Sequence, residues 1–252
     1  MAISSSRLIR GARAPRAQQS HQDIDPWDYT KTLTNLTAAQ VVVGFGVVPS
    51  VANYLGTQGD SAYILPSIFV CQLGLAQVVQ LLTGSHQAKY DFATVELVKG
   101  IITGLVALAL CALVDTMGTS LHSITSPAQE LLGAYDSLIK QNGSADKIVL
   151  LGEYWLTGCF LAPIIEEQIF RGWALQGIKS IGLKKIGLSS LLFAAIHFSR
   201  ADFPSLFTLG MVLGGSYAIS GGSNVLVPTI GHIVYNSAAL VSRVINDVDV
   251  TG

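Results

Sequence analysis

Six side chains in the second half of the chain have the types and spacing to do chemistry: Glu166, Glu167, Arg171, His197, His232 and Asn236. Glu166 and Glu167 are adjacent, and Glu167 precedes Arg171 by four positions, the order that favours an ion pair on a helix. Arg171 can therefore neutralise Glu167 and hold its carboxylate in place. Glu166 projects roughly 100° away around the same helix, so one guanidinium does not readily serve both, and Glu166 is left as a candidate general base. Phe193 and His197 are four apart, as are His232 and Asn236, so each pair shares one face of its own helix. An imidazole can move a proton or bind a metal, while the Asn236 amide offers a donor beside His232. Together Glu166, His197, His232 and Asn236 contain the parts for activating a water and for stabilising the oxyanion it makes on attacking a carbonyl. Glu166, His197 and His232 are also of the type that ligates a divalent metal such as zinc, although the HExxH helix of metalloproteases is absent from the sequence. Taken singly, a histidine in an apolar helix is most often a packing residue and a helical Glu–Arg pair most often structural, so only the full set of residues points to chemistry.

The elements that must position these groups are apolar. Of the 252 residues, 50% are hydrophobic and 12% charged, about half the ~25% charge of a soluble domain. Ala38 to Leu55, Ala62 to Thr83 and Val95 to Val114 each approach the ~20 residues that carry a helix across a bilayer. Within the polar stretch that follows, Ser126, Pro127 and Gln129 form a helix start ahead of Leu131, Leu132, Tyr135, Leu138 and Ile139, which reads as a short amphipathic surface helix. Ile148 to Ile178 is a long apolar helix interrupted by Glu153, Glu166, Glu167 and Arg171, ending in a basic turn at Lys179, Lys184 and Lys185. Leu188 to Phe198, Pro204 to Ser220 and Val225 to Ile245 complete the pattern. The fold class expected is an all-α, polytopic transmembrane helical bundle with about seven membrane segments. A carboxylate at the centre of a span costs on the order of 2.5 to 3.5 kcal/mol, so two adjacent glutamates in one span require a reason.

The other polar groups are less informative. Glu153 sits near the start of its span, where its side chain can reach the interface, and His21, His86 and His122 fall in loops or tails. Gly221, Gly222 and Ser223 read as a tight turn between two helices. Cys71, Cys111 and Cys159 are widely separated in apolar runs, which suits buried thiols rather than a disulfide framework. A net charge of −1 gives no field to hold nucleic acid. Arg7, Arg10, Arg13 and Arg16 precede the first acidic residue, Asp23, a pattern shared by transit peptides and by basic cytoplasmic tails. The chain thus divides into a basic tail or targeting segment, residues 1–36, and an integral membrane domain, residues 37–252, in the membrane of an organelle such as a chloroplast or mitochondrion or in another cellular membrane.

In order along the chain, Glu166-Glu167-Gln168-Ile169-Phe170-Arg171, Phe193 to His197 and His232 to Asn236 match the EExxxR, FxxxH and HxxxN motifs of one family. The chain resembles the CPBP intramembrane proteases, which include the type II, Rce1-like CAAX prenyl endopeptidases and the bacteriocin-immunity and abortive-infection proteins. Leu209-Gly210 through Gly214, Tyr217, Ser220-Gly221 and Pro228 are also similar to that family's penultimate helix and turn, so the resemblance covers about residues 148–242. It implies a polar cavity within the bilayer, with Glu166 and His197 activating water, His232 and Asn236 stabilising the oxyanion, and Glu167 with Arg171 bracing the site. The implied partners are membrane lipids and a hydrophobic or prenylated peptide substrate. Because the family also holds binding and immunity proteins, the alternative is a non-catalytic membrane subunit or chaperone, including one in a photosynthetic membrane complex. The arginine-rich N-terminus motivates that alternative.

Overall fold

The computed structural model describes residues 64–83, 90–117, 151–175 apart from 153, and 182–249, with scattered positions between 31 and 54 that include a π-helical turn at Val42–Val47. Two expected features, the amphipathic helix after Ser126 and the N-terminal tail to residue 30, lie outside the described residues, as do Glu153, Lys179, His21, His86 and His122. The elements are helices: α1 (Ile64–Thr83), α2 (Thr94–Met117), α3, α4 (Leu183–Ala195), α5 (Phe203–Ile219) and α6 (Leu226–Asp249). The α3 helix runs through three stretches, Trp155–Leu161 and Gln168–Ala174 in the wide π geometry and Ala162–Glu167 between them as ordinary α-helix.

The faces of α2 show what solvent it meets. Gly100, Thr103, Gly104, Ala107 and Cys111 recur at helical spacing and are buried, whereas Val98, Ile102, Leu105, Leu110 and Leu113 are exposed. Small residues point inward and large aliphatic ones outward, the reverse of a soluble helix and the arrangement of one packed in lipid. This helix, Thr94–Met117, is the span among the described residues that is long and apolar enough to cross a membrane. Among the described residues the expected count of about seven segments is not confirmed: Ser67–Leu82, Phe203–Ile219 and Leu226–Ser242 are apolar but shorter. At ~1.5 Å per residue the 17-residue α5 reaches about 25 Å, less than the ~30 Å hydrocarbon core. A correction concerns Lys184 and Lys185, which lie in the first turn of α4 rather than in a basic turn, because the extended backbone at Gly182 starts that helix early.

Glycines set how closely the helices approach. A Cβ on Gly104 would lie 2.6 Å from Val234 Cβ and 2.7 Å from the Gly231 carbonyl oxygen, and one on Gly100 would lie 2.6 Å from Ile230 Cβ. The two glycines, four apart on α2, thus seat the backbone of α6 directly against it. Gly210 does the same between α5 and α4, where a Cβ would fall 2.8 Å from Ser190 Cβ. Between these tight pairs Leu75, Val79, Ile165, Ile169, Trp173 and Leu213 are buried in one apolar core. Cys111 and Cys159 are buried free thiols, and Cys71 is partly buried. The turn from α5 to α6 falls at Gly221 and Gly222, whose φ values of 87° and 67° belong to the left-handed region that glycine adopts without strain. Tyr217 closes it by donating to the Gly222 carbonyl at 2.6 Å.

Candidate active site

Arg171 and Glu167 are fully buried on α3, and Nη1 of the arginine donates to Oε1 of the glutamate at 2.9 Å. The other arm of the guanidinium, Nη2, donates to the Gly210 carbonyl on α5 at 3.0 Å. The arginine also lies over the Phe193 ring, 5.0 Å from its centroid. The predicted ion pair is therefore present, and the fork ties it to a third element.

The sequence paired Glu167 with Arg171 alone. The fold gives the glutamate a second partner, because His232 Nδ1 on α6 donates to the same Oε1 at 3.0 Å. That bond fixes the imidazole so that its Nε2 faces Glu166, 3.7 Å from Oε2. The gap exceeds a direct hydrogen bond, so the two groups converge without closing on each other.

His197 is positioned by the end of its helix. The last turn of α4 tightens, with His197 N–H donating to Ala194 at 3.3 Å and Phe198 N–H to Ala195 at 3.2 Å. The Phe193 carbonyl thereby loses its backbone donor and accepts instead from His197 Nδ1 at 2.7 Å. A carbonyl only accepts, so Nδ1 carries the proton and Nε2 is the free position. The next residue, Phe198, has φ of 50°, a left-handed conformation that is strained for a bulky side chain and turns the chain sharply after the histidine. Phe193 joins the two histidines: its ring is 4.8 Å from that of His197 and 5.7 Å from that of His232.

Asn236 is held by α3. Its Nδ2 donates to the Gly158 carbonyl at 3.0 Å. That carbonyl is free because the π register sends the Ala162 N–H to Thr157 and the next residue, Pro163, has no N–H to give. Trp155 Nε1 adds a second tie to α6 by donating to Ser237 Oγ at 2.9 Å. Asn236 keeps one N–H and its carbonyl oxygen for other partners.

The fold thus brings Arg171, His197 and His232 around Phe193, with Glu166 and Glu167 facing His232 and Asn236 one helical turn beyond His232, held by α3. Their exposures differ: Glu167 and Arg171 are sealed and His232 is 3% exposed, whereas the Glu166 side chain is 14% exposed and His197 and Asn236 are partly exposed. The zinc-type set of Glu166, His197 and His232 does not converge as a metal shell, since among the described residues no group of three or more His, Cys, Asp or Glu side chains gathers closely enough to hold an ion. Three contributors escaped the sequence reading. Gly158 and Gly210 act through carbonyls that only packing places, and Gln168, beside Glu167, donates Nε2–H to the Tyr90 hydroxyl at 3.1 Å. Burial raises the Tyr90 hydroxyl above its ordinary value, which keeps it protonated. The Gly100 and Gly104 pair that seats α6 was visible as a GxxxG motif in an apolar segment.

A helical membrane protein with a buried Glu–Arg–His centre and a second, accessible glutamate is the class that this fold and site define. Residues 150–238 match the model of the Rce1-like family, described as type II CAAX prenyl endopeptidase Rce1-like, so this segment of the chain is similar to that family. Residues 1–149 lie outside the match. Searches of curated proteins and of solved structures find no match to the chain.

Proposed function

We propose that the chain is an intramembrane endopeptidase of the CAAX type, hydrolysing a peptide bond of a prenylated or otherwise hydrophobic membrane peptide with a water activated by Glu166 and His197. The Glu166 carboxylate takes a proton from the water as its oxygen bonds to the scissile carbonyl carbon. The oxyanion that forms accepts hydrogen bonds from Asn236 and from Nε2–H of the protonated His232 ring. Collapse expels the amine, which takes the proton from Glu166, and leaves a new carboxyl terminus. Glu167 and Arg171 hold His232 and take no part in the proton transfers.

The observation that carries this reading is the split in exposure, with Glu166, His197 and Asn236 accessible and Glu167, Arg171 and His232 locked behind them. Groups that meet substrate need access, and groups that hold others in place benefit from burial. The test uses the purified protein in liposomes with a farnesylated peptide and its unprenylated counterpart. The expected result is cleavage by the wild type and its loss in Glu166→Ala and His197→Ala, with both variants still membrane-inserted. Full activity in either variant overturns the mechanism, and a stoichiometric membrane complex without turnover would favour a non-catalytic subunit.

A further inference from the structure

The tight turn that positions His197 also walls a cavity. Its volume is about 510 Å³, within the ~300–1,000 Å³ of small-ligand sites. From the end of α4 it is lined by Ala194, Ala195 and Phe198, and the Ala194 and Ala195 carbonyls are those that accept from His197 N–H and Phe198 N–H. From the first turn of α5 it is lined by Phe203 and Pro204. Phe198 is strained at φ of 50° and yet 58% exposed, so core packing does not account for its conformation. What the strain secures is an apolar wall directly after His197.

Ser199 and Arg200 complete the lining. Ser199 is committed to the turn: its hydroxyl donates to Asp202 Oδ2 at 2.6 Å and accepts from Asp202 N–H at 3.0 Å. Arg200 is exposed, and its guanidinium has no hydrogen-bond or ion-pair partner among the described residues. The carboxylates of Asp202 and Asp115 at this end of α5 accept from Ser199 and Ser205. These apolar walls and that guanidinium together suit a ligand with an apolar body and an anionic end. Arg200 is three residues from His197, at most about 11 Å between Cα atoms, so one short ligand can reach both. In a peptide the anionic end is the terminal α-carboxylate.

We propose that this cavity binds the C-terminal end of the substrate peptide, its apolar walls taking the last side chains and Arg200 pairing with the terminal α-carboxylate. The proposal rests on the reading above that the site takes a hydrophobic membrane peptide; it does not require that the peptide be cleaved. Binding is therefore measured first. Full-length Glu166→Gln in phosphatidylcholine liposomes is titrated with a fluorescent farnesylated peptide ending in a free carboxylate and with the same peptide ending in an amide. The acid is expected to bind roughly tenfold more tightly. Adding Arg200→Gln should bring the acid to the affinity of the amide and leave the amide unmoved, whereas Ala195→Leu, which fills the cavity, should weaken both alike. In the wild-type protein the same preference is expected in kcat/KM. Equal binding of acid and amide overturns the proposal, as does an acid preference that survives Arg200→Gln. Weakening of both peptides alike by Arg200→Gln marks a lipid or packing contact and overturns it too. An acid preference that Arg200→Gln removes, beside a wild type that cleaves neither peptide, would uphold the subsite and remove the proteolytic reading; cleavage with no acid preference would do the reverse.

Discussion

His232 Nδ1 lies 3.0 Å from Oε1 of Glu167, and the same oxygen accepts from Arg171 Nη1 at 2.9 Å. One buried carboxylate therefore serves two cationic or donor groups from two helices. Glu167→Gln removes its charge and leaves the sealed guanidinium uncompensated, which is expected to cost about 3–5 kcal/mol. Glu166→Gln, at the accessible glutamate, is expected to leave the unfolding temperature near wild type and to abolish cleavage. Thermal unfolding in detergent beside a cleavage assay separates the two.

Arg171→Lys should behave almost as badly as Arg171→Ala. A lysine carries the charge but presents one point, so it cannot meet Glu167 and the Gly210 carbonyl at once as the fork does. Both variants are expected to lower the unfolding temperature sharply, and a lysine variant as stable as wild type would count against the two-armed anchor.

The approach of α2 to α6 makes a prediction about stability alone. Gly104→Ala places a Cβ 2.6 Å from Val234 Cβ and 2.7 Å from the Gly231 carbonyl, contacts that force backbone movement and should cost about 1–3 kcal/mol. Gly187→Ala, on α4, meets nothing within 4 Å and should be neutral or stabilising by about 0.5–1 kcal/mol. Paired unfolding curves of the two variants check the contrast.

Asn236→Ala is expected to lower kcat by roughly 10²–10³ with KM unchanged, the effect of removing one oxyanion donor. Pro163→Ala should reproduce part of that loss from a distance, since it restores an N–H that competes for the carbonyls of the preceding turn, from which Asn236 hangs through Gly158. Steady-state kinetics of both variants test the link.

What could be read from the sequence follows the reach of a helical turn. Glu167 with Arg171, Phe193 with His197, and His232 with Asn236 are each four apart, and their shared faces follow from helix geometry. The apolar runs likewise fixed α1, α2, α5 and α6 to within a few residues, while the start of α4 was missed because Gly182 admits the lysines into the helix. The partner of His232 was not legible, because its bond to Glu167 joins positions 65 apart and depends on how α6 seats against α3. Tyr90 and Gln168, 78 apart, were hidden for the same reason. The π stretches flanking Glu166 and Glu167 leave no mark in an apolar pattern except Pro163, whose missing N–H shows its effect only once Asn236 is placed beside it.

The central claim is that Glu166 activates the water that cleaves a membrane peptide. Its most direct test is mass spectrometry of the peptides released from membranes that contain either the wild-type protein or Glu166→Gln at equal abundance. Products with newly formed carboxyl termini that appear with wild type and vanish with the variant are the predicted result; identical product sets from the two membranes would contradict it.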